Sequence, residues 1–142
     1  MPELLVNDYL QLAHRPDLQI LTVRWLRTTS SPELRSGYQR LLDFAQENNS
    51  TRFWLVDSRR RQHLDNSDVH WLVRDYYPTL RPRLGNQVFL AFLVSPAQLA
   101  DTTDDETLPP LPYTHGDYCS INQFTDEGEA VQWLTKHLHP AV

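Results

Sequence analysis

Arg52-Phe-Trp-Leu-Val-Asp-Ser-Arg-Arg-Arg61 decides the fold class of this chain. An apolar run, Phe53 to Val56, ends at a carboxylate, Asp57, and three consecutive arginines follow. A short continuous apolar run of this kind suits a central strand of a parallel sheet, which is buried on both faces. The loop beyond the carboxyl end of such a strand is where open α/β sheets place ligands and partners. The segment therefore predicts a fold class and a working surface, Asp57 with Arg59, Arg60 and Arg61. It predicts no reaction.

Working outward, Val88 to Val94 is a second continuous apolar run and reads as the neighbouring buried strand. Between the two, Asn66-Ser67-Asp68 offers a helix cap. Val69, Leu72, Val73, Tyr76, Tyr77 and Leu80 then recur at helical spacing, with Pro78 and Pro82 limiting the end. Upstream, Tyr9 to Ala13 and Ile20 to Leu26 read as two strands joined around Arg15-Pro16-Asp17. Leu21, Val23 and Trp25 alternate with Thr22 and Arg24, the pattern of a half-buried antiparallel pair at a sheet edge. Ser31 and Pro32 predict the cap and first residue of a helix carrying Leu34, Tyr38, Leu41, Leu42 and Ala45 on one face.

Downstream, Ser95-Pro96 opens a short helix through about Leu99. Residues 101–117, acidic and proline-rich, predict a long mobile surface loop. Tyr118 to Phe124 reads as a final strand. Thr125 or Asp126 caps a last helix bearing Ala130, Trp133, Leu134 and Leu138. The order β-β-α-β-α-β-α-β-α predicts a single α/β domain over residues 1–142, a mixed central sheet of about five strands with helices packed on it.

Composition narrows the function classes. A formal charge of −5 over 142 residues argues against a general nucleic-acid binder. The lone cysteine, Cys119, rules out an intrachain disulfide and points to a cytoplasmic setting. No segment approaches the roughly 18 apolar residues of a membrane span, and the N-terminus lacks the pattern of a signal peptide. Twelve arginines stand against one lysine, Lys136, so an amine nucleophile has a single candidate, on a helix that reads as a packing element.

The strand ending Leu55-Val56-Asp57, the amphipathic helix after it, the second buried strand and the closing phrase from Phe124 to Leu134 form a recognisable series. This series resembles the SpoIIAA-like group of the STAS superfamily, the anti-sigma-factor-antagonist fold. The resemblance implies a non-enzymatic regulatory domain that binds a protein partner and is switched by phosphorylation near the start of the helix after the central strand. Ser67 is the candidate phosphosite on that reading, against its reading as a helix N-cap.

No catalytic set, metal site or cofactor motif is predicted. Asp57 reads as a salt-bridge or loop-cap carboxylate, since no partner that would tune it for proton transfer stands near it in sequence. The six histidines, at 14, 63, 70, 115, 137 and 139, lack the spacing of a converging ligand set. Cys119 reads as a small buried side chain. Four glycines make no phosphate-cradling loop. Trp71 falls off the apolar stripe of its helix beside His70 and Arg74, where it either anchors an interface or covers a neighbouring loop. The expected partner is a protein, an acidic one if it meets the arginine loop. A homodimer is expected through Trp71 or an edge strand Ile20 to Leu26. The alternative is a carrier for a small apolar or anionic ligand, in a pocket between helices and sheet lined by Tyr76, Tyr77, Phe92 and Trp133.

Overall fold

The computed structural model describes residues 4–5, 7–61, 66–104, 113–115 and 118–138. Its frame is one mixed sheet: β1 (Leu4–Leu5), β2 (Leu10–Arg15), β3 (Ile20–Trp25), β4 (Phe53–Asp57), β5 (Val88–Leu93), β6 (Tyr113–His115) and β7 (Cys119–Phe124). The spatial order is β1-β2-β3-β4-β5-β7-β6. Strands β3, β4, β5 and β7 run parallel, while β1, β2 and β6 pair antiparallel to their neighbours. The expected strands form the body of this sheet. Two short strands, β1 and β6, extend it at the sides.

The two apolar runs lie side by side as β4 and β5, with Trp54 opposite Leu90 and Val56 opposite Phe92. Every residue of β4 is buried, so its sequence needs no polar alternation. Strand β3 corrects an expectation. It is interior, with β2 on one side and β4 on the other, because the chain returns beside β3 after its first helix. Its ladder groups are paired on both sides, so it offers no free edge for a dimer.

Helices α1 (Ser31–Glu47), α2 (Asn66–Trp71) and α3 (Tyr77–Leu84) cover one face. There Leu34, Tyr38, Leu41 and Leu42 meet Tyr76 and Leu80 over Trp25, Trp54, Val56 and Leu90. Helix α5 (Glu127–Leu138) covers the other face, where Ala130 and Leu134 pack on Phe53, Leu55, Ala91 and Leu93.

Helix α1 is capped one residue earlier than expected. Ser30 is the N-cap: its Oγ accepts from the Glu33 N–H at 3.3 Å, and the Glu33 carboxylate accepts from the Ser30 N–H at 2.9 Å. The hydroxyl of Ser31, freed from capping, donates instead to Asp68 at 2.9 Å and ties the start of α1 to α2.

The prolines do not end the second helical run where the sequence suggested. A π-helical stretch, Leu72–Tyr76, joins α2 to α3, and the Tyr77 N–H bonds the Leu72 carbonyl. Widening the helix before Pro78 absorbs the ring and the missing donor, and the run continues through Pro82 to Leu84. Gly85, at φ 89°, stops it in the left-handed region that glycine adopts without steric cost.

The loop expected over residues 101–117 is also shorter. Helix α4 (Pro96–Asp104) extends past Leu99, and β6 pairs with β7. Residues 105–112 and 116–117 lie outside the described residues.

Candidate binding surface at the carboxyl edge of the sheet

Register builds the first part of this surface. Arg24, the next-to-last residue of β3, stands opposite Asp57, the last of β4, with Leu93 and Phe124 completing the row. Asp57 is the hub. Its Oδ2 accepts from Arg24 Nη1 at 2.8 Å and from Arg59 Nη2 at 3.0 Å. Its Oδ1 accepts from Arg59 Nε at 3.0 Å and from the Arg59 N–H at 3.2 Å. Arg24 also reaches Glu127, at the start of α5, at 3.4 Å.

Burial alone would push the Asp57 carboxyl up. The hydrogen bonds from the Arg59 side chain, the Arg59 N–H and Arg24 outweigh it and hold the group below the usual carboxylate range. At neutral pH Asp57 is therefore an ionised anchor that fixes the loop, as its salt-bridge reading anticipated.

The three arginines do not form one cationic face, which corrects the expected site. Arg59 is committed to Asp57 with its side chain about half exposed. Arg60 is exposed and pairs with no carboxylate among the described residues. Arg61 is only 5% exposed, and its guanidinium carbon stands 4.7 Å from the Trp25 ring centroid. Its Nη2 makes a long 3.5 Å contact to Ser58 Oγ, and its Nη1 has no hydrogen-bond partner among the described residues. The reason is local: the Arg61 N–H bonds the Ser58 carbonyl at 3.2 Å, so the chain curls back and delivers the third arginine onto the indole face.

Gln98 holds this loop and was not singled out from sequence. Its Nε2 donates to the carbonyls of Ser58 at 3.0 Å and Arg61 at 2.7 Å, while its Oε1 accepts from the Ser95 N–H at 2.7 Å. The Gln98 N–H in turn donates to Ser95 Oγ at 3.1 Å, completing a capping box. The signal was present as Ser95-x-x-Gln98. Arg24 was legible too, as the polar member of an alternating strand one residue from its end.

Ser67 lies exposed in the first turn of α2, inside the helix rather than at its cap. The next residue, Asp68, is buried, accepts from Ser31 and stands 3.8 Å from Arg35. Trp71 is partly buried at the junction of α1 and α2. Its ring centroid lies 6.5 Å from Tyr38 and 5.4 Å from Tyr76, and the Arg35 guanidinium stacks over it at 5.4 Å. Trp71 thus packs on α1 and on the π-helical stretch rather than over a loop.

The carrier pocket expected between Tyr76, Tyr77, Phe92 and Trp133 is not formed by those residues. The first three belong to the core on the α1 side of the sheet. Trp133 packs with Phe89, Phe124 and His137 on the α5 side. Alternation along β5 sets Phe92 and Phe89 on opposite faces, and the sheet separates them.

Cys119 is buried, and backbone register sets it opposite His115. His63 and His139 lie outside the described residues. Among the described residues no three histidine, cysteine or acidic side chains cluster in a way that could hold a metal ion, and no helix is long and apolar enough to cross a membrane. Compared with known proteins, the chain matches no family model and no curated protein.

Proposed function

We propose that the protein is a non-enzymatic regulatory domain of SpoIIAA/STAS-like type, which works by binding an acidic protein partner at the carboxyl edge of β3 and β4. The observation that carries this reading is the state of the loop after Asp57. Arg60 projects without a carboxylate partner among the described residues, on a backbone braced by Asp57, Gln98 and the Leu93 carbonyl. A braced loop presenting an exposed guanidinium recognises carboxylates with little ordering cost on binding.

The resemblance adds support from the element order, with a buried strand ending in Asp57, a helix after it, and a closing helix whose Ala130 and Trp133 pack on the sheet. On this reading Ser67 is the position for a phosphate switch, since added charge beside a binding loop alters which partners it accepts.

The test is capture of partners from native lysate by the wild-type chain and by an Arg59→Ser/Arg60→Ser double variant, with folding checked by circular dichroism. Arg61 stays intact because it packs in the core. The reading expects a captured protein to be lost with the double variant. Identical capture by both chains would place the binding surface elsewhere.

A further inference from the structure

The opposite edge of the sheet carries a separate site. The turn between β2 and β3 and the loop from α1 into β4 wall a cleft of about 440 Å³. His14, Gln19, Asn49, Ser50, Thr51 and Arg52 supply its polar lining, over an apolar base that includes Phe53 and Leu138. Among the described residues no acidic side chain lines it, in a protein of net charge −5.

Three features give the cleft a chemical bias. First, Arg52 is an unpaired cation. It gives Nη1 to the Gln87 carbonyl at 2.8 Å and lies over the Phe53 ring at 5.2 Å, and no carboxylate pairs with it among the described residues. Its other guanidinium donors make no hydrogen bond among the described residues. Secondly, His14 is nine-tenths buried, with Nε2 at 3.1 Å from Thr51 Oγ1. The single hydroxyl proton of Thr51 goes to the Asn48 carbonyl at 2.5 Å, so Nε2 must be the donor, which leaves Nδ1 as the basic nitrogen. Thirdly, Gln19, Asn49 and Ser50, at φ 55°, 62° and 52°, are the non-glycine residues in the left-handed region among the described residues, and all three line this cleft. Strained backbone of this kind gathers at ligand clamps.

The carboxyl end of α1 opposes an anion here, while Asp17 in the β2–β3 turn is paired with Arg15 at 2.9 Å. Three carbonyls at this end are occupied: Phe44 accepts from the Asn48 side chain and backbone, Ala45 from the Thr51 N–H, and Asn48 from the Thr51 hydroxyl. Arg52, the one charged side chain that lines the cleft among the described residues, therefore sets the sign of the site.

We propose that this cleft binds a small organic anion, with a carboxylate or phosphate-ester head on Arg52 and an apolar body against Phe53 and Leu138. The volume falls within the range of small-molecule pockets. The site is independent of the carboxyl-edge surface, on the far end of the strands.

Amide NMR titration of the full chain tests it, using benzoate and phenyl phosphate as the two head groups and benzamide as the neutral control. The expected result is saturable shifts at Gln19, Ser50, Thr51 and Arg52. At least one anion should bind about tenfold more tightly than benzamide, the scale of a charge-assisted contact. Arg52→Gln should abolish that preference. The benzamide comparison uses the wild-type chain alone, so it stands even if the variant does not fold. No saturable shift with either anion, benzamide binding as well as the anions, or a folded Arg52→Gln variant that keeps the preference would each overturn the proposal.

Discussion

Arg59, Arg60 and Arg61 are adjacent in sequence and lie in three different environments. Arg59 forks onto Asp57, Arg60 is exposed and Arg61 lies on Trp25. Burying a guanidinium costs several kcal/mol unless a carboxylate compensates it. The indole face returns about 2 kcal/mol, and the unpartnered Nη1 adds a penalty of about 1–3 kcal/mol. Arg61→Met keeps the volume and removes the charge. We expect urea unfolding to show it equal to wild type or about 1–2 kcal/mol more stable, as for buried ions replaced by apolar side chains. A loss above about 1 kcal/mol would show that the guanidinium stabilises the fold. The sequence revealed an arginine cluster but not this division, because the direction of each side chain depends on a turn closed by Ser58 and held by Gln98.

At the scale of elements, helical periodicity located α1, α5 and the run containing α2 and α3. What it could not locate was the π-helical stretch, since a wider turn shifts the stripe by less than the width of the buried face. Leu72, Tyr76, Tyr77 and Leu80 are buried in either geometry. The start of α1 was legible through Ser30-x-x-Glu33, a stronger signal than the Ser31-Pro32 pair. The packing of α1 on β3 rests on Gly37. A Cβ there would stand 2.6 Å from Trp25 Cη2 and 3.4 Å from Leu10 Cδ2. Gly37→Ala gains about 1 kcal/mol in helix propensity. Against this, overpacking costs about 1–3 kcal/mol, because Trp25 is held among Tyr9, Tyr38 and Arg61 and cannot retreat. We expect a net loss of stability by thermal melting, and a melting temperature above wild type would contradict this packing.

For the whole molecule, the two apolar runs were enough to identify a parallel centre, and β4 and β5 lie there. The position of β3 was not legible, since alternation reports which faces are buried but not which strand comes next to it. Acid should lower the stability in two pH windows. Burial lowers the folded pKa values of His14 and His137 below 6.5, so the unfolded chain takes up protons first. Stability is therefore full above that value and is lost as pH falls through it. Asp57 is held below 3.8 when folded, so its contribution persists at neutral pH and is lost as pH drops below 3.8 toward its folded value. Melting temperature against pH should fall in both windows, and His14→Gln with His137→Gln should flatten the upper one.

The central claim, that the protein works through the carboxyl edge of β3 and β4, is tested most directly by amide hydrogen exchange with and without a captured partner. Added protection over Ser58 to Arg61 and the first turn of α2, with the β2–β3 turn unchanged, is the predicted footprint. Protection confined to the β2–β3 turn or to α5, with the loop after Asp57 exchanging at its free rate, would contradict it.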